Sequence, residues 1–119
     1  VIATDAPLIP IQCRRLAQRA TVGLARVGGT GRNGSGDIFL AFSTGNHLPS
    51  RPHGLYTIDM LTHEDLNPLF EAVADATEEA ILNALSAAET MTGFRGRTVY
   101  ELPLDRVAEI LAERPGDWR

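Results

Sequence analysis

The most constraining feature of this sequence is the nearly continuous apolar stretch at residues 37–44, Asp-Ile-Phe-Leu-Ala-Phe-Ser-Thr. A strand with one wet face alternates apolar and polar residues, whereas a strand covered on both faces does not. The stretch therefore predicts a central strand of a layered α/β fold. Residues 1–4 read as the tail of a second buried β-strand, which a turn-prone Asp-Ala-Pro segment closes.

Three helices are predicted around these strands. Pro10, suited to a first helical turn, starts a helix over residues 10–20, with apolar residues on one face and arginines on the other. The strongest helix begins at Asn67-Pro68, an N-cap followed by proline, and it ends at Gly93. Its apolar residues recur at spacings of three and four. A shorter helix is predicted over residues 104–112.

The connecting segments and the small number of elements determine the predicted fold class. Residues 21–27 are predicted to form a strand, the glycine-rich residues 28–36 a loop, and residues 45–54 a surface loop. Strands that are buried on both faces need helices on both sides, and 119 residues supply few of either. We therefore predict a single α/β domain over residues 1–119, one layer pair of a larger sandwich that another polypeptide completes.

Composition excludes several classes of function. All 11 basic residues are arginines, set against 15 acidic residues for a net charge of −4, and no basic run is longer than Arg14-Arg15. A basic nucleic-acid arm and a disordered acidic tail are thus excluded. No window approaches the ~18 consecutive apolar residues of a membrane span. The single Cys13 cannot form an internal disulfide, which fits the reducing cytoplasmic location that we expect.

Two common types of ligand site lack support in the sequence. Residues 29–34 match G-x-G-x-x-G, but a dinucleotide site needs this loop to open a helix, and here a strand follows it. The histidines His47, His53 and His63 lie in or near polar loops without the spacing of a zinc site. We therefore predict no metal and no other cofactor, and we expect surface histidines.

The segment Asn33-Gly34-Ser35-Gly36-Asp37 is the strongest candidate for chemistry. Residues two apart on an extended chain point to the same side, so the hydroxyl of Ser35 and the carboxylate of Asp37 would be neighbours. Glycines on either side would let another backbone come close. The residues alone also fit an ordinary turn with a serine and a strand-capping aspartate.

Distinctive blocks recur along nearly the whole chain. They are residues 1–8, 23–26, 33–44, 68–70, 76–81, 83–85 and 90–93. On these blocks, and above all on residues 33–37, the chain resembles the DmpA-type aminopeptidases, or L-aminopeptidase/D-amidase-esterases. β-Peptidyl aminopeptidases and a pantetheine hydrolase belong to the same group, and the motifs do not choose among them.

The resemblance implies an enzyme that cuts its own precursor into a longer α chain and a shorter β chain of about this size. The new β N-terminus carries the nucleophilic Ser or Thr, expected a few residues before Val1 in the same strand. The implied fold is a four-layer αββα sandwich, like that of N-terminal-nucleophile hydrolases, and the implied assembly is a tetramer of αβ units. The implied reaction is hydrolysis of N-terminal amide or ester bonds of short peptides through an acyl-enzyme.

The same resemblance assigns roles to single residues. Ser35 and Asp37 are implied to be catalytic: Ser35 would hydrogen-bond the terminal amine or hydroxyl, and Asp37 would hold Ser35 and favour the protonated amine. Where relatives carry Glu in place of Asp37, the side chain is one methylene longer. Asn33 and Gly34 are weaker candidates for substrate contact, and the oxyanion donors would come from the α chain. A pantetheine-type amide hydrolase and a non-catalytic scaffold subunit remain the alternatives.

Overall fold

The computed structural model describes residues 1–51 and 53–113, and the chain divides into two compact units, Val1–Glu79 and the residues from Ala80 onward. The first unit contains β1 (Ile2–Thr4), α1 (Pro10–Arg26), β2 (Ala41–Ser43) and a 3₁₀ turn (Glu64–Leu66). Helix α2 (Asn67–Ala87) contributes residues to both units. The second unit also contains β3 (Met91–Thr92), β4 (Thr98–Val99) and α3 (Leu104–Glu113). The mixture of strands and helices confirms the predicted α/β class.

Strands β1 and β2 form a parallel pair that α1 connects. Each β1 residue pairs with the residue 39 positions later, so that Ile2 lies opposite Ala41, Ala3 opposite Phe42 and Thr4 opposite Ser43. The amide of Ile2 donates to the carbonyl of Leu40 at 2.8 Å. This fixed register decides which residues of the two strands lie side by side.

Strand β2 is shorter than the predicted strand over residues 37–44. Only Ala41–Ser43 form the ladder, because β1 supplies partners for those three residues alone. Residues 37–40 have no partner strand among the described residues. The prediction that the strand is covered on both faces is not met within this chain either, since Ile38, Leu40 and Phe42 are exposed.

Helix α1 begins where the sequence predicted. Ile9 is extended, and Pro10 occupies the first helical position, where its missing N–H has no intrahelical partner to lose. Gln12 is fully buried: its Oε1 accepts the Ile9 amide at 3.2 Å, and its Nε2 donates to the Leu61 carbonyl at 2.7 Å. Gln12 thus ties the start of the helix to a distant loop.

The predicted strand over residues 21–27 is wrong, because α1 continues through this segment to Arg26. Its β-branched residues and glycine favoured a strand. Packing overrides that preference, since Gly23 is buried where α1 crosses α2. A Cβ atom at Gly23 would lie 2.4 Å from the carbonyl oxygen of Ala74 and 2.7 Å from Cβ of Thr77. Glycine is therefore required here for the close approach of two helices.

Helix α1 ends in a Schellman motif. Gly28 adopts φ of 94° and donates to the Ala25 carbonyl at 3.0 Å, while the Gly29 amide donates to the Leu24 carbonyl at 2.9 Å. These two bonds satisfy carbonyls that the last helical turn would otherwise leave free. The glycine-rich loop thus has a structural function at its first two residues.

The start of helix α2 differs from the prediction in one detail. Asn67 is not an N-cap, since its φ of −59° and ψ of −47° are helical and the 3₁₀ turn Glu64–Leu66 leads directly into it. Thr62 serves the upstream end, where its Oγ1 donates to Oδ2 of Asp65 at 2.8 Å and accepts the Asp65 amide at 3.4 Å. The helix ends at Ala87 rather than at Gly93.

The core of the first unit lies around α1. Its buried members come from both helices and the adjoining segments: Leu8, Cys13, Leu16, Ala20, Leu66 and Val73. Side chains from the sheet and from the start of α2 pack against them, namely Ile2, Ala6, Phe39, Ala41, Leu61, Leu69 and Phe70. Arg26 joins the two helices at the surface, with its Nη1 at 2.5 Å from Asp75 and 3.2 Å from Glu78. These hydrogen bonds raise the pKa of Arg26.

The second unit contains a hairpin that the sequence analysis did not predict. Strands β3 and β4 are antiparallel, and their turn places Arg95 at φ of 59° and Gly96 at φ of 71°. Two successive positive φ values are the signature of a type I′ turn, which matches the twist of a two-stranded hairpin. The predicted helix over residues 104–112 is confirmed as α3.

Candidate active site

The candidate site is the loop that joins α1 to β2. The Ser35 amide donates to the Arg32 carbonyl at 2.7 Å, so the backbone turns at Asn33 and Gly34 and then runs toward β2. Neither central residue has a positive φ, so the turn itself does not require the glycine. Asn33 and Gly34 are exposed. Their observed position is the centre of the turn that delivers Ser35, and a role in substrate contact stays a prediction.

Ser35 and Asp37 are brought together by this loop. The Ser35 hydroxyl donates a hydrogen bond to Oδ2 of Asp37, and the Asp37 amide lies 3.4 Å from Ser35 Oγ. Both side chains are exposed in this chain. Because the hydroxyl proton is directed to the carboxylate, the lone pairs of Ser35 Oγ remain free to accept a proton donor. The pair can therefore hold an ammonium group next to a negative charge.

A cleft of about 540 Å³ opens beside this pair. Ser35, Asp37 and Phe39 all line it, which is what an extended chain gives for residues two apart. The opposite wall is the last part of α1, with Thr21, Leu24 and Ala25, and the glycine-rich loop closes it with Gly29, Thr30, Gly31, Arg32 and Asn33. The α1 wall was missed because residues 21–27 were predicted to be a strand. The glycine pair that follows Arg26 was the available signal, since glycine directly after a helix is its commonest terminator.

The other chemistry-bearing side chains lie outside this cleft. His47, His53 and His63 are exposed, as expected, and Arg15 Nη1 lies 3.1 Å from Nδ1 of His63. Cys13 is buried within the core, as expected for small core filling. Over residues 1–51 and 53–113, no three His, Cys, Asp or Glu side chains are grouped so that they could hold a metal ion.

The helices were also examined for length and apolar character. Among the residues that the structure describes, none of the helices combines the two well enough to cross a bilayer.

Comparison with known proteins gives a consistent result. The model of peptidase family S58 matches residues 1–99. The β-peptidyl aminopeptidase BapA of Sphingosinicella microcystinivorans is 47% identical over 112 residues, which are 93% of this chain and 28% of that protein.

Solved structures agree with the sequence matches. A β-aminopeptidase from Burkholderia sp. superposes with a TM-score of 0.83 at 47% identity, over 98% of this chain and 35% of that one. The L-aminopeptidase D-Ala-esterase/amidase of Ochrobactrum anthropi, described as a variant of the Ntn hydrolase fold, gives a TM-score of 0.84 at 40% identity. That match covers 92% of this chain and 31% of the other. The chain thus spans about a third or less of the length of these relatives.

Proposed function

This chain belongs to peptidase family S58, and from that premise we propose that it is the β subunit of an N-terminal-nucleophile aminopeptidase formed by self-cleavage of a longer precursor. The single observation that carries the proposal is the Ser35–Asp37 hydrogen bond in the loop that leads into β2. A self-cleaving enzyme of this kind needs a proton relay beside its new N-terminus. The chain has such a pair next to the strand that begins it.

The β1–β2 register supports this position for the pair. Continuing the offset of 39 residues upstream puts Asp37 opposite the residue three positions before Val1, and Ser35 opposite the residue five positions before it. A Ser or Thr within those three to five positions would lie beside the pair, on the neighbouring strand, about 4.8 Å away. We propose that the nucleophile is found there, at the N-terminus of the mature β chain.

The chemistry follows from the groups present. An N-terminal Ser or Thr has a hydroxyl and its own α-amine, whose ordinary pKa of about 8 suits a base near neutral pH. The amine takes the hydroxyl proton, and the oxygen attacks the scissile carbonyl to give a tetrahedral intermediate and then an acyl-enzyme. Ser35 Oγ accepts a hydrogen bond from the resulting ammonium, and the Asp37 carboxylate stabilises that positive charge. Water then releases the acyl group by the reverse proton movement.

The remaining parts of the proposal concern the whole protein. The oxyanion donors and the group that recognises the substrate's free amine would come from the α chain, as would the layers that complete an αββα sandwich. We propose short peptides, amides or esters with a free N-terminal residue as substrates, in a tetramer of αβ units located in the cytoplasm. The proposed reaction uses no metal or cofactor.

The test uses the complete precursor with Ser35→Ala. We expect turnover of an aminoacyl anilide to fall by about 10²-fold or more, the usual effect of losing a proton-transfer partner. Self-cleavage, followed as the appearance of two chains on a denaturing gel, should slow as well. Ser50→Ala is the matched control, because Ser50 is an exposed loop serine that does not line the cleft.

Three outcomes separate this proposal from its alternatives. Unchanged turnover in Ser35→Ala would remove Ser35 from the mechanism. Cleavage of pantetheine but not of the anilide by the unmodified protein would favour the pantetheine-type hydrolase. A mature chain whose first residue is neither Ser nor Thr would leave only the scaffold subunit.

A further inference from the structure

Strand β2 has one paired edge and one free edge. In the parallel ladder, Leu40 accepts from Ile2 and the Thr44 amide donates to Thr4 at 2.9 Å. Backbone groups of successive residues point to opposite edges, so those of Ala41 and Ser43 point away from β1. The other two described strands, β3 and β4, pair with each other. Within the described residues, the second edge of β2 therefore has no strand partner.

An apolar cleft runs along this free edge. It has a volume of about 540 Å³, and one of its walls is formed by the five consecutive residues 39–43. Residues of α1, including Pro10, Cys13 and Ala17, form a second wall, and Leu48 and Ile58 lie at its far side. No residue of β1 lines it, so the cleft lies on the side of β2 that faces away from β1.

The free edge lacks the features that protect natural edge strands. Such strands carry charges, proline or bulges that prevent pairing with another chain. From Ile38 to Phe42 this segment has no charged residue and no proline. Its alternate side chains Ile38, Leu40 and Phe42 are exposed by 92%, 59% and 45%. A permanent edge of this composition would aggregate, whereas a central strand of a sheet has this composition as a rule.

We infer that a β-strand from the part of the protein outside residues 1–119 adds to the free edge of β2 and inserts an apolar side chain into the adjoining cleft. The length of the relatives supports this occupant, since the chain spans 28% of the BapA protein and 35% of the Burkholderia chain. Addition of a strand satisfies the backbone groups at residues 41 and 43, and the cleft supplies specificity. The inference needs only that the chain is part of a longer S58 protein, and it does not depend on catalysis.

The first test is amide hydrogen exchange at single-residue resolution in the complete mature protein. We expect the Ala41 and Ser43 amides to exchange at least about 10²-fold more slowly than unprotected amides, because an added strand bonds them. Phe42 and Thr44 are internal references, since β1 protects both in either case. Fast exchange at 41 and 43 beside slow exchange at 42 and 44 would overturn the inference.

The second test identifies the occupant. A photoreactive benzoylphenylalanine replaces Leu48 at the cleft in the complete protein, with Leu55, which is 99% exposed and does not line the cleft, as the control position. We expect Leu48 alone to cross-link efficiently to a peptide from outside residues 1–119. Cross-linking to a second copy of these residues, or none above the control, would overturn the inference. Aminoacyl anilide turnover of the same samples reports separately on the proposed function.

Discussion

Replacing Gly23 by alanine tests the helix crossing that builds the wall of the active-site cleft. At an open helical position, alanine is more stable than glycine by about 1 kcal/mol. At Gly23 the added Cβ would lie 2.4 Å from the Ala74 carbonyl, which is 0.6 Å short of the 3.0 Å below which real contacts essentially never occur. The obstacle is the backbone of α2, so a side-chain rotation cannot relieve it. Overpacking of this kind costs about 2–3 kcal/mol, leaving a net loss of about 1–2 kcal/mol.

The assay is urea unfolding of the complete protein, followed by circular dichroism. A pair of control variants at Gln18, an exposed position on the same helix, measures the propensity effect alone. We expect Gln18→Ala to be more stable than Gln18→Gly by about 1 kcal/mol. At position 23 the order should be reversed, with glycine the more stable. Equal or greater stability of Gly23→Ala would refute the close crossing of α1 and α2.

Three further predictions concern the site, the core and the open face of α2. Asp37→Asn removes the charge that favours the ammonium, so aminoacyl anilide turnover should fall by about 10²-fold; an unaltered pH–rate profile would contradict this role. Gln12→Ala leaves the Leu61 carbonyl without its partner and should lower the free energy of unfolding in urea by about 1–3 kcal/mol. Leu85→Asp should prevent folding or assembly of the complete protein by burying a charge against the added layer, whereas Asn83→Asp on the opposite side of α2 should not. A soluble Leu85→Asp protein with normal subunit composition would contradict that placement.

The helices were the most predictable part of the fold, because their signals are local. Pro10 and Asn67-Pro68 marked two starts that the structure reproduces to the residue, although Asn67 itself is helical. The continuation of α1 through residues 21–26 was not predictable from propensity, since the decisive interaction is the approach of Gly23 to a helix about fifty residues away. Local patterns carry no information about such crossings.

The extent of β2 was overestimated for a related reason. The composition of residues 37–44 is that of a strand covered on both faces and paired on both edges, whereas this chain supplies one partner strand and one helical layer. The adjacency of Ser35 and Asp37 could be predicted, because the spacing of two residues is enough to specify it. Their roles could not be derived from the residues alone and came from resemblance to a family.

The parallel pairing of β1 and β2 has a consequence for how an enzyme of this type can change. The head of one strand and the Ser35–Asp37 pair lie at the same end of two adjacent strands of a single polypeptide. Movement of the larger subunit therefore leaves the proton-transfer distance unaltered. Substrate preference can diverge through the larger subunit while the smaller one preserves the reactive geometry.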